Sequence, residues 1–182
     1  MLAAILFLAV QLGVGSFEHL NAPANLDFEE VDADGRPVHW IVLPPDAEQY
    51  EFEVTTTDQD PSTGARSAVI RRDPGKHYGE QAVTLTQVLD APVYRGHRVR
   101  LRAWIKRHGR AGDAILRIRQ TRQGGRPAEN RITLRNSTSW KQYELTVDVP
   151  ADATTIEYGV MMKDGELSID SVAFDIVDGK SF

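Results

Sequence analysis

The chain of 182 residues has no cysteine, so disulfides, thiolate metal sites and a cysteine nucleophile are all excluded. Helical patterning is missing as well: beyond residue 25 no stretch keeps an apolar stripe of period 3.6 for three turns. Catalytic signatures are absent too. There is no Gly-x-Ser-x-Gly elbow, no His-Glu-x-x-His helix and no phosphate loop, and the five histidines are scattered at 19, 39, 77, 97 and 108. A carboxylate pair of glycosidase type has its raw material in 26 Asp and Glu, but among so many acids some pair always falls close. The chain is therefore read as a protein without enzymatic activity. A net charge of −5 argues against a nucleic-acid partner, because such affinity rests on many cationic contacts to phosphate.

What is present is organised by charge and by alternation. From Arg95 to Lys141 there are 14 Lys and Arg against two acids, a net of +12, which leaves −17 on the remainder. The chain opens on an apolar run, Leu2 to Val14, followed by small residues at Gly15, Ser16, Ala22 and Ala24. This reads as the apolar region of a signal peptide over residues 1–24, too short for a comfortable membrane span, and implies a secreted or periplasmic protein. No Lys or Arg precedes the run, so an uncleaved N-terminal anchor is the alternative.

Residues 25–182 are expected to form one domain, since 41% apolar residues suffice for one two-layer core. Their period is two. Val99, Leu101, Ala103 and Ile105 alternate with Arg98, Arg100, Arg102, Trp104 and Lys106; Ala114, Leu116 and Ile118 alternate with Ile115, Arg117 and Arg119. The same device recurs over 142–149 and 156–162, with turn residues at 107–112, 124–127, 150–153 and 164–165. Further strands are expected at 26–29, 40–42, 50–56, 67–71, 81–88, 131–134 and 167–176. Short strands at this spacing predict an all-β sandwich or jelly roll of two antiparallel sheets.

Several patches, in order, resemble the galactose-binding-like jelly rolls that include xylan- and glucan-binding modules. They are Asn25-Leu-Asp-Phe-Glu29, Arg36-Pro-Val-His-Trp40, Ser62-Thr-Gly-Ala-Arg-Ser67, Tyr78-Gly-Glu-Gln81, Val99 to Lys106, Ser139-Trp-Lys-Gln-Tyr143 and Ile169-Asp-Ser-Val172. The resemblance implies a carbohydrate-binding module. It also implies a structural calcium between the first and last strands, with Glu29, Asp170 and the backbone of Thr63 and Gly64 as ligands, a set of hard oxygen donors that suits that ion. Pro-x-x-Trp and Trp-x-x-Tyr are read as core features.

For the ligand, an aromatic surface and planar hydrogen-bonding groups are needed together. Trp104 with Arg100, Arg102, Arg117 and Arg119 supplies both, treated as one basic face, with Gln142 and Glu144 as added acceptors and Lys106 beside them. The resemblance also implies ligand contacts on loops at the sandwich edge, where His77 and Tyr78 are the available aromatic residues. The arginines further imply an acidic polysaccharide, which guanidinium groups match bidentately. The competing expectation is a structural or protein-interaction sandwich of the cell envelope, its outer arginines paired with acids across strands.

Overall fold

The computed structural model describes residues 19–72, 81–109 and 113–178. Alternating apolar residues produce ten strands: β1 (Ile41–Leu43), β2 (Phe52–Thr57), β3 (Ser67–Arg72), β4 (Val83–Asp90), β5 (Arg98–His108), β6 (Ala114–Arg122), β7 (Ala128–Thr133), β8 (Ser137–Asp148), β9 (Ala153–Met162) and β10 (Glu166–Ile176). They form two antiparallel five-stranded sheets. The first has the order β1-β4-β9-β6-β7 and the second β2-β3-β10-β5-β8. The chain crosses repeatedly between layers, as from β5 to β6 and from β9 to β10, while β2–β3 and β6–β7 stay within one sheet, and the sandwich is a jelly roll.

The core lies where the inner faces meet. On β5 the side chains of Val99, Leu101, Ala103 and Ile105 are buried, facing Leu116, Ile118, Ile156 and Val160 of the first sheet. Tyr158 stacks on Phe174 with centroids 4.6 Å apart, and Trp40 meets Tyr158 edge-on at 6.1 Å. The Tyr158 hydroxyl donates to Gln87 Oε1 at 2.6 Å, and burial pushes its pKa far up. One end of this ring is thereby satisfied while its body fills the layer. Trp40 of the Pro-x-x-Trp patch is a core residue, as expected, with its indole donating to the Asn25 carbonyl at 2.9 Å.

Two expectations are corrected. Residues 26–29 form a turn rather than a strand, because Asn25 and Phe28 take left-handed φ of 46° and 60°. The Asn25 amide fixes the turn by donating to the carbonyls of Glu30 and Val38, and Phe28 turns inward to lie 4.8 Å from Trp40. Trp140 does not enter the core. Counted along β8 from Gln142, which pairs with outward Trp104, Trp140 falls in the outward row, and its indole donates to the Asp60 carbonyl at 3.1 Å.

Candidate functional site

The outer face of the second sheet is written into β5. Its inner positions from Val99 to Ile105 are apolar, with buried Arg107 at the end of that row, so by strand alternation Arg98, Arg100, Arg102, Trp104 and Lys106 all point away from the core. Register then supplies their neighbours: Trp104 stands beside Gln142 of β8 and Asp170 of β10, Arg102 beside Glu144, and Arg100 between Thr146 and Asp175. Each cation meets a carboxylate. Arg98 pairs with Asp148 at 2.7 Å, Arg100 with Asp175 at 3.9 Å and Glu144 at 4.0 Å, Arg102 with Asp175 at 3.1 Å, and Lys106 with Asp60 at 2.7 Å. Four cations thus face four carboxylates.

Trp104 differs from the other two tryptophans. The indole N–H of Trp40 and of Trp140 each has a carbonyl acceptor. Trp104 is partly exposed, and its N–H makes no hydrogen bond among the described residues. The Nε–H groups of Arg100 and Arg102, in the same row of β5, are buried and unpartnered as well. Arg117 Nε, on the other sheet, is in the same state, so unpartnered guanidinium donors are common to both faces and the free indole N–H is what sets this one apart.

The single basic face expected from the sequence is two faces. Arg117 and Arg119 lie on β6 and point outward from the first sheet, on the opposite side of the sandwich from Trp104. The strands β5 and β6 belong to different sheets, and outward therefore means opposite directions for the two. There Arg117 is buried and pairs with Glu129 at 3.0 Å and with Glu157, while Arg119 reaches Glu157 at 3.8 Å and Arg131 reaches Glu129 at 3.7 Å. His77 and Tyr78 lie outside the described residues.

The four residues expected at a metal site come together. Asp170 accepts the N–H groups of Ser62 and Thr63 on one oxygen, at 2.7 and 2.9 Å, and of Ser171 on the other, at 2.6 Å. Glu29 Oε1 accepts those of Ala65 and Arg66 at 2.6 and 3.1 Å. Gly64 has φ 63°, and a Cβ there would sit 2.2 Å from Glu29 Oε1, so only glycine lets this carboxylate reach the loop. Burial pushes the Asp170 pKa up, the three N–H bonds pull it down, and the Glu29 carboxylate raises it further. The hydroxyls of Thr63 and Ser171 lie 2.6 Å apart beside them. Among the described residues no three His, Cys, Asp or Glu side chains gather to hold a metal, so a cation here needs these hydroxyls or loop carbonyls beside the two acids. The two acids and the two hydroxyls are hard oxygen donors of the kind calcium takes, but the main-chain groups turned toward the acids are five N–H donors, of Ser62, Thr63, Ala65, Arg66 and Ser171.

What sequence reading missed is the strap made by residues 58–66. Asp60 is gripped by Lys106 and Trp140, with the Lys106 ammonium 4.5 Å from the Trp140 ring centre, while Glu29 and Asp170 grip residues 62–66. This lays the strap over Ser67, Val69 and Asp170, which are fully buried on an otherwise outward row. The Ser62 to Ser67 patch was the available signal, although it does not show which strands the loop crosses.

Among solved structures, the chain is similar to the xylan-binding CBM22-1 domain of Paenibacillus barcinonensis Xyn10C. The TM-score is 0.59 at 10% identity, over 84% of this chain and 92% of that one. The fold is that of the carbohydrate-binding-module jelly rolls. TmCBM61, solved with β-1,4-galactotriose, gives a TM-score of 0.54 at 13% identity, over 87% of this chain and 99% of that one. The enzymatically active domain of bacteriophage CBA120 tailspike protein 4 gives 0.63 at 18% identity over 86% of this chain, which spans 21% of that domain. No protein-family model matches the chain. In sequence it is 29% identical over 136 residues, 71% of this chain, to the uncharacterized HTH-type transcriptional regulator YbfP of Bacillus subtilis (strain 168), and spans 45% of that protein's length. The described residues contain no α-helix, and hence no counterpart of a helix-turn-helix and no helix able to cross a membrane.

Proposed function

We propose that this chain is a non-catalytic carbohydrate-binding domain whose ligand lies on the outer face of the second sheet, against Trp104. The observation that carries the reading is that Trp104 alone of the three tryptophans keeps both an accessible ring and an unpartnered N–H, in a row with unpartnered donors of Arg100 and Arg102. An indole face takes the apolar side of a pyranose ring, and guanidinium, amide and carboxylate groups from Arg102, Gln142 and Glu144 meet its hydroxyls. Against a purely structural sandwich stands the exposure of this ring.

The preferred ligand of this face is a neutral polysaccharide. Four carboxylates cancel its four cations, which removes the ground for the acidic polymer expected from the arginine count. Xylan and β-1,4-galactan fragments are the first to try, since the names of similar structures carry them. Titration with such oligosaccharides should saturate the protein. Trp104→Ala should cost about 2 kcal/mol or more, as anchoring aromatics do, a loss of roughly thirtyfold in affinity. Unchanged affinity in the variant would move the ligand elsewhere.

The proposal includes calcium held by Glu29, Asp170 and the Thr63–Gly64 backbone, bracing the strap. An ion that binds the folded state alone stabilises it by about 2.7 kcal/mol at a hundredfold excess over Kd. Melting with calcium should exceed melting with chelator, and Asp170→Ala should abolish the difference; equal melting in both conditions would remove the ion from the account. Export is part of the same reading, supported by the Leu2 to Val14 run. The intact mass of protein from the secreted or periplasmic fraction should place the mature N-terminus between Ser16 and Asn25, and a full-length cytosolic species would contradict it.

A further inference from the structure

Along one flank of the sandwich the terminal strand of each sheet runs beside the other: β7 of the first and β8 of the second. They are tied where the Arg135 N–H donates to the Tyr143 hydroxyl, which donates to the Arg135 carbonyl, both at 3.2 Å. This flank gathers cations. Arg122 and Arg126 stand at the turn from β6 to β7, Arg131 on β7, Arg135 just beyond it and Lys141 on β8, all exposed. Arg119 and buried Arg117 add two more from β6, making seven. The acids among them are Glu129 and Glu157, with Asp152 accepting the Gln123 N–H through its carbonyl at the turn.

Pairing sets these cations apart from those of β5. Glu129 and Glu157 are taken up by Arg117, Arg119 and Arg131, whereas Arg122, Arg126, Arg135 and Lys141 have no ion-pair partner among the described residues. The line from Arg126 to Arg135 covers nine residues of nearly extended chain, roughly 30 Å at the usual strand rise. Charged side chains keep an edge strand from pairing with its like, which accounts for Arg131 on β7 and Lys141 on β8. Arg122, Arg126 and Arg135 lie off both edge strands, and that purpose does not account for them.

We propose that this flank is a second binding site, for an acidic polysaccharide with one carboxylate per repeat, independent of Trp104; its ligand class rests on the carbohydrate reading above. A linear polyanion matches a line of guanidiniums, each of which takes a carboxylate bidentately. Sparse charge is what the interleaved Glu129 and Glu157 tolerate, while the dense phosphates of nucleic acid would meet them as repulsion. Base stacking also lacks a platform here, since the ring on this flank, Tyr143, is tied to Arg135.

The test is affinity electrophoresis of the full chain in gels carrying xylan, polygalacturonate or neither, at low and high salt, with duplex DNA as a separate probe. Polygalacturonate should retard the wild type at low salt and release it at high salt, and R122S/R126S/R135S should lose that retardation while its retardation by xylan stays. W104A should do the reverse. None of the three flank residues holds an ion pair, so the triple variant keeps its fold, which an unchanged melting temperature verifies. Full retardation of the triple variant by polygalacturonate, no retardation of the wild type by it, or tighter binding of duplex DNA would each overturn the proposal. The xylan lane reports on the Trp104 face separately.

Discussion

The outer face of β5 and the β7 flank carry the same residue, arginine, in opposite circumstances. On β5 each outward arginine has a carboxylate delivered by the neighbouring strands, from Asp148 and Glu144 on one side and Asp175 on the other. On the flank β7 is terminal, no strand lies beyond it to supply acids, and the turn from β6 projects past the sheet. Sheet position, rather than the number of arginines, therefore decides where the protein presents positive charge. An acidic polymer is expected to seek the edge and a neutral one the paired face.

The comparison breaks hardest where pairing coincides with burial. Arg117 has a side chain 10% exposed and Glu157 one 14% exposed, so Glu157→Ala strands a buried guanidinium on Glu129 alone. We expect a loss of about 2–3 kcal/mol in denaturant unfolding, toward the range for breaking buried pairs. A loss below that of an ordinary surface variant would show the network to be solvated.

A weaker effect on stability, with a larger one on binding, is expected from D175N/E144Q. Both acids are nearly half exposed or more, so each should contribute no more than about 1 kcal/mol. Arg100 and Arg102 would be left without carboxylates, and the β5 face should then acquire salt-sensitive retention by polygalacturonate. If the double variant, carrying R122S/R126S/R135S as well, is still not retained, unpaired charge is not what governs the difference between the regions.

Arg126→Ser, by contrast, removes an exposed and unpaired side chain and should change stability by under about 0.5 kcal/mol. A greater loss would reveal a partner on the flank. Smaller still is the pH signature of Arg98 with Asp148. The hydrogen bond from Arg98 holds the Asp148 carboxyl below its ordinary value, so the pair's stabilisation is present above the unfolded-state pKa and is lost as pH falls through the lowered folded-state one. Unfolding of Asp148→Asn should differ from wild type at neutral pH and converge with it in strong acid; a constant difference would exclude the ion pair as its cause.

The alternation of β5 was legible in sequence because a period of two names both faces of one strand at once. Which strands flank it was not. Asp148 lies 50 residues from Arg98 and Asp175 lies 73 from Arg102, and no local pattern encodes a register between such distant segments. The same limit merged Arg117 and Arg119 with Trp104, since the chain passes from one sheet to the other between β5 and β6. The convergence of Glu29, Thr63, Gly64 and Asp170 came through the resemblance alone. Trp140 was misplaced because the Trp-x-x-Tyr patch was read as core at both rings, although residues 140 and 143 stand on opposite faces of one strand and alternation from Gln142 already puts Trp140 outward.

The three tryptophans report on three places: Trp40 on the core, Trp140 on the strap and Trp104 on the proposed ligand face. Their indole N–H signals, assigned by single substitutions and followed by NMR during titration with neutral xylo- or galacto-oligosaccharides, test the central claim directly. The account predicts a saturable shift of the Trp104 signal with Trp40 unmoved. A Trp104 signal that stays in place, whether another tryptophan moves or none does, would contradict it.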